Sequence, residues 1–299
     1  MLLAILLAIV AAACNAVATI CQRLGVEQSA HEQGSTLGLI RGVFRRPIWF
    51  LGLLIMTLAF GLQALALSVG TLSSVQPVMV TEIVFLVVII GTWFRGQLTW
   101  REWLGSVGTA LALGAFLTLS APVGGTTQPS AESWLLLDVA SGGAVVVVVF
   151  ASRRGSRVWR AAAFGVAAAI CYALTAACVK SVADEWSSGV AQLPRHPGLY
   201  GAIVAGAIGL VLGQRALDSG PVAASQSVLL IVNPIVSIVM GTWLFGDHWQ
   251  ASIPRLGGAA LALALMFVAL SVLATSPLIT STGSGEVLSH SRPAAVGGQ

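Results

Sequence analysis

Long apolar runs, each about twenty residues and each bounded by charge, glycine or proline, follow one another along most of the chain. A helix that crosses a bilayer needs roughly 20 largely apolar residues. Segments of this kind fall at about Leu2–Gln22, Ile48–Val69, Leu72–Trp93, Leu104–Ser120, Ser133–Ala151, Ala161–Val179, Leu199–Leu217, Pro221–Leu244 and Pro254–Ala274. None alternates apolar and polar residues as a barrel strand does. Backbone groups in hydrocarbon must also be paired within their own segment. The pattern therefore predicts an all-α integral membrane protein of about nine transmembrane helices. Ala11-Ala12-Ala13-Cys14 resembles a lipoprotein cleavage box, but no Lys or Arg precedes the first run, so it reads as a span and not a signal peptide.

Composition agrees with the pattern. Of 299 residues, 57% are apolar and 9% charged, against about 25% charged in soluble domains. The formal net charge of +4 is small, and no basic patch is interleaved with aromatics, so nucleic acid is not an expected partner. The placement of the charges is more telling. With nine spans, one side receives Arg23, Arg41, Arg45, Arg46, Arg95, Arg101, Arg153, Arg154, Arg157, Arg160, Arg215 and Arg292; the other receives Lys180, Arg195 and Arg255. The positive-inside rule makes the first side cytoplasmic. That places the N-terminus outside and the C-terminus inside a plasma membrane.

The chain repeats itself. At a shift of 150 positions Ala66, Leu67, Gly70, Gln76, Val78, Gly91, Thr92, Trp93 and Gly96 meet Ala216, Leu217, Gly220, Gln226, Val228, Gly241, Thr242, Trp243 and Gly246. The paired glutamines and the Gly-Thr-Trp-x-x-Gly string are the specific part of this match. At a shift of 157, Cys14, Cys21, Arg23 and Glu27 meet Cys171, Cys178, Lys180 and Asp184. The expected organisation is a first four-helix repeat (1–120), a connecting helix with its loops (121–160), a second four-helix repeat (161–277) and a disordered cytoplasmic tail (278–299). Equivalent spans are five apart, an odd number, so the two repeats are inverted. Inverted repeats are typical of alternating-access transporters. A duplicated scaffold without transport is the competing reading.

Acids within a bilayer are costly and mark function or a locked hydrogen bond. Glu82 lies at the middle of the third span and is the foremost proton carrier or cation ligand. Asp138 lies near the outer start of the connecting span. Asn233, at the middle of the eighth span, precedes Pro234, which removes an internal hydrogen bond and frees carbonyls near the midplane. Pro77 is expected to do the same more mildly in the third span. Asn15 and Tyr172 occupy matched central positions in the first and sixth spans, and Gln76 and Gln226 match in the third and eighth. Glu82, Asn233, Asn15, Tyr172, Gln76 and Gln226 form the candidate binding set, each alternatively an interhelical hydrogen-bonding residue. The cysteines, seven apart on one face of each helix, could bind a soft metal or simply pack, and the metal question stays open. No phosphate loop, metalloprotease helix or Ser-His-Asp set is visible, so no enzyme activity and no cofactor are expected.

Together these features resemble the drug/metabolite transporter superfamily, whose duplicated inverted units carry a Gly-acidic element at the end of a long helix. Gly246-Asp247 fits that element and Gly96-Gln97 departs from it. Lys180 after an Ala-rich helix, Arg195-His196-Pro197 before a Tyr-bearing helix start, and Gln214 leading into Ala216-Leu217-Asp218 are most similar to the nine-span NIPA-type branch. The resemblance covers roughly residues 1–277. It implies secondary transport of a small solute or cation, with magnesium as one candidate. The partners it implies are the lipid bilayer and that substrate, and a homodimer is compatible with it. A lipid-linked sugar flippase is a further alternative.

Overall fold

The computed structural model describes residues 1–30, 46–93, 98–124, 129–185, 194–249 and 251–276. Arg41, Arg45, Arg95, Gly96-Gln97, Arg292 and the expected disordered tail (278–299) lie outside the described residues, as do the side chains of Arg23 and Glu27. The elements are α1 (Leu2–Ala30), α2 (Pro47–Val69), α3 (Leu72–Met79), α4 (Glu82–Trp93), α5 (Trp100–Ser120), β1 (Pro122–Val123), α6 (Ala131–Ala151), a 3-10 turn (Ser152–Arg154), α7 (Arg157–Asp184), α8 (Pro197–Ser219), α9 (Val222–Leu244), β2 (His248–Trp249) and α10 (Ile253–Ala274). Counting α3 and α4 as one interrupted span, nine helices among the described residues are long and apolar enough to cross a membrane. The chain is a multi-pass membrane protein.

Helix ends outrun the hydropathy pattern wherever a charged residue has a local partner. At α5 the Thr99 side chain accepts a backbone N–H of the first turn, and the Thr99 N–H donates to the Glu102 carboxylate at 2.8 Å. This capping box brings Arg101 and Glu102 into the helix and moves its start from Leu104 to Trp100. At α7 the Ser156 hydroxyl accepts from Trp159 N, and Lys180 pairs with Asp184 one turn on at 2.6 Å. The helix therefore runs 28 residues. Proline occupies the first turn of α2, α8 and α10, where its missing N–H costs nothing.

Of the two prolines expected to loosen their helices, only the one expected to act more mildly, Pro77, lies in a span that is interrupted. α9 runs unbroken through the buried Pro234, whereas the third span breaks at Val80–Thr81. There Thr81 N donates to Val78 O (3.0 Å), Ile83 N donates to Val80 O (3.3 Å), and the Thr81 hydroxyl donates to Val78 O (2.7 Å). These bonds reach back three residues and tighten the turn, and Glu82 is the first residue of α4 after it. Pro234 loses a hydrogen bond to Leu230, but α9 is braced on either flank by α3 and α7, and it carries on.

Packing relies on small residues. α1 lies along α2, α7 along both α8 and α9, α5 along α10, and α3 against α9. Ala4, Ala8, Ala11 and Ala12 of α1 and Ala167, Ala168, Ala173 and Ala177 of α7 are fully buried. Without a hydrophobic drive between helices in lipid, such close backbone approach supplies the van der Waals contact. Leu54, Val147, Leu210 and Leu261 are exposed, as lipid-facing side chains are. A two-residue antiparallel ladder, Pro122 with Trp249 and Val123 with His248, ties the end of α5 to the chain leaving α9.

The repeated Gly-Thr-Trp-x-x-Gly string has a physical reason. A Cβ on Gly91 would stand 2.3 Å from Leu98 Cγ, and one on Gly241 would stand 2.5 Å from both Asp247 Oδ2 and Ser73 Oγ. The first glycine of each string gives room for the chain that has just left the helix to fold back against it. Gly246, at φ 65°, makes the second reversal possible, and Asp247 N then reaches Gly241 O at 3.0 Å. Gly241→Ala should lower the apparent melting temperature in detergent, corresponding to a loss of about 1–3 kcal/mol. Gly61→Ala, where an added Cβ meets nothing within 4 Å, should leave it unchanged or slightly raised.

Candidate functional site

Glu82 is placed by the break that precedes it. It opens α4 at the middle of the Leu72–Thr92 span, where the helix N-terminus favours negative charge. The polar side chains facing it are Asn15 and Thr19, one turn apart on α1. Asn15 belongs to the expected set. Thr19 does not, although its spacing of four from Asn15 puts it on the same helix face.

A second polar group lies where α3 meets α9. Gln76 on α3 is 2% exposed, and its Nε2 has no hydrogen-bond partner among the described residues. On α9, Asn233 Oδ1 and Ser237 Oγ are likewise buried and unpartnered. Asn233 and Ser237 are four apart and therefore share a face. Ser73 Oγ, one turn before Gln76, lies 3.4 Å from Ile238 O, so the level of Gln76 and that of Ser237 correspond across the seam. Buried polar atoms are almost always satisfied, and an orphan costs about 1–3 kcal/mol. Two donors and an amide oxygen left open within the spans, between the first turns of α3 and the middle of α9, make a place for a polar ligand or ordered water.

Two residues of the expected set stand elsewhere. The Tyr172 ring lies on the α7–α8 seam, where a Cβ at Gly209 would stand 2.9 Å from its Cε1 and one at Gly213 would stand 3.2 Å from its hydroxyl. Gln226 is half-buried in the first turns of α9, with no hydrogen bond among the described residues. The four cysteines are free, and no group of three or more His, Cys, Asp or Glu side chains among the described residues is arranged to hold a metal.

Each end of the seam is tied by a contact between sequence-distant parts. At one end Asp247 Oδ2 accepts from Ser73 N at 3.0 Å and Ser73 Oγ at 2.7 Å. The buried carboxylate thereby caps α3, beside Thr71, whose side chain accepts from Ser74 N. Lys180 Nζ, in the same region, donates to Leu67 O at 2.9 Å and so joins α7 to the last turns of α2. At the other end Ser276 Oγ donates to Glu102 Oε1 at 2.6 Å. Sequence reading gave Asp247 no role beyond its short motif. Its partner Ser73 is one serine among many, and only the fold distinguishes it.

No family model matches the chain. An uncharacterized protein of Corynebacterium glutamicum is 26% identical over 239 residues, covering 77% of this chain and 81% of that protein. No solved structure matches.

The Asp247–Ser73 contact should show coupling in a double-mutant cycle of Asp247→Asn and Ser73→Ala. Thermal or denaturant unfolding should give an interaction energy of about 1–3 kcal/mol, in the range for hydrogen bonds to a charged group. A cycle that sums to zero would mean that the capping contact contributes nothing to holding α3.

Proposed function

We propose that this protein is a secondary transporter. In this reading two inverted copies of a four-helix unit, joined by α6, carry a small polar solute or cation across the membrane by alternating access. The supporting observation is the polar seam where α3 meets α9: Gln76 Nε2, Asn233 Oδ1 and Ser237 Oγ are buried and open, on two helices from different halves of the chain, and α3 leads into the break that precedes Glu82. Discontinuous helices at the bilayer midplane are where transporters of many folds bind substrate and coupling ions.

Equivalent packing pairs support the inverted arrangement. α1 lies on α2 as α7 lies on α8, and α5 meets its own counterpart α10 as α3 meets its counterpart α9. On this reading Asp247, Lys180 and the β1–β2 ladder stand at the external end, and Glu102 with Ser276 at the cytoplasmic end that also bears Arg46, Arg101, Arg157 and Arg215. The superfamily of drug/metabolite transporters, in its NIPA-type branch, is the assignment the motifs favour. Magnesium keeps several waters and prefers oxygen ligands, so Glu82 and the Asn233 oxygen would hold it as a hydrated ion. A neutral solute exchanged against a proton on Glu82 uses the same groups.

The test is flux in proteoliposomes. Glu82→Gln should reduce proton-coupled or magnesium flux by at least about tenfold, equivalent to 1.4 kcal/mol; equal flux in the variant and the wild type would remove Glu82 from the mechanism. Ser237→Ala should act in opposite senses on two measurements. It removes an unsatisfied buried hydroxyl and should raise the apparent melting temperature of the empty protein, while weakening uptake of the transported solute. A variant that is less stable and transports normally would show that the hydroxyl is structural.

A further inference from the structure

A cavity of about 890 Å³ opens on the flank of the bundle between α6, α7 and α8, and at Lys180 and Phe245 it adjoins the Asp247 end of the polar seam. Small residues shape it: Gly142 on α6 has nothing within 4 Å of a would-be Cβ, while Gly201 lets α8 close tightly on α7, where a Cβ would stand 3.0 Å from Cys178 Sγ. Its apolar wall includes Val204 and Ile208, which are 58% and 46% exposed within a membrane-spanning helix. Side chains exposed at that depth face lipid, so the cavity communicates with the bilayer, and its occupant enters from there.

The charge of the lining selects the occupant. Among the described residues, three carboxylates, Asp138, Asp184 and Glu185, line the cavity against one permanent cation, Lys180. Lys180 is already engaged by Leu67 O and Asp184 Oδ1, and Glu185 Oε2 stands 3.3 Å from His196 Nε2. Asp138, exposed and about 10 Å from the start of α6 at its eighth position, has no hydrogen bond or ion pair among the described residues. A carboxylate at that depth calls for a partner. Trp134, one turn away on the same face of α6, also lines the cavity and meets Phe245 edge-on at 6.3 Å. An aromatic face beside a carboxylate is the chemistry that recognises ammonium groups. Beyond Asp138 the groove continues past Val145, two turns and about 10 Å further along α6, which accommodates an alkyl chain.

We infer that the cavity between α6, α7 and α8 is a binding site for an ammonium-bearing amphiphile, with Asp138 as counter-ion, Trp134 against the head and the α6–α8 groove around the chain. The site is separate from the transport pathway proposed above and is read by binding, not flux. The same head chemistry is offered by a free single-chain amine and by the headgroup of an aminophospholipid.

Native mass spectrometry of the full chain from detergent distinguishes the two sources. Dodecyltrimethylammonium is titrated against dodecyl sulfate, which has the same chain and the opposite charge, and phosphatidylethanolamine against phosphatidylglycerol. The wild type should retain one cationic ligand per chain with at least about tenfold preference over its anionic counterpart. Preference within the first pair identifies a free amphiphile, and preference confined to the second identifies a lipid headgroup. Asp138→Asn should cut retention of the preferred ligand about tenfold. Gly142→Leu, which projects a side chain from a position where an added Cβ meets nothing within 4 Å, should abolish it, while Gly61→Ala should retain it fully. The assignment is overturned if neither pair shows a preference for the cation, or if the ligand is retained as well by Gly142→Leu as by the wild type.

Discussion

Hydrocarbon offers no partner to a bare backbone N–H or C=O, and this constraint shapes every element of the chain. It is why the apolar runs are helices, why α9 persists through Pro234, and why the interruption at Val80–Thr81 is closed by three-residue hydrogen bonds and the Thr81 hydroxyl. It also makes the start of α3 expensive to leave open. The Asp247 carboxylate, delivered from the far half of the chain, satisfies one of the free N–H groups there while Thr71 satisfies another. Gly241 and Gly246 exist to bring that carboxylate into place, one by leaving room and the other by turning the chain.

Much of this fold was legible in the sequence, because membrane solvation writes its demands in long apolar runs. Eight of the nine spans have the expected type and approximate place, and the ninth is the same span divided. The ends were less legible. Hydropathy stops at Arg101, Lys180 and Asp184, but helices continue through charged residues that find a cap or an i, i+4 partner. The stronger effect was expected at Pro234 and the milder one at Pro77, and the structure reverses that order. Proline removes one hydrogen bond, and whether the helix then yields depends on the neighbours that brace it, which no local pattern contains.

The candidate site was legible in part for the same reason. Glu82 and Asn15 stand out in sequence because polar residues at mid-span are rare, and they do lie together. Thr19 and Ser237 do not stand out, since hydroxyls usually bond to their own helix, as Thr175 does to Cys171 O. Ser237 is distinguished only by having no such bond. Tyr172 matched Asn15 by position, yet an aromatic ring follows the nearest glycine groove, and Gly209 and Gly213 provide one on α8.

The divided span has a mechanical consequence. Its first segment packs against α9 of the second half, with Asp247 at its tip, and also against α1 of the first half, while α4 lies chiefly along α1. The first segment thus bridges the two halves. The few bonds around Thr81 link that bridge to the residue that follows them, so in the proposed transport cycle a displacement of α3 would reach the Glu82 carboxylate through two residues of backbone.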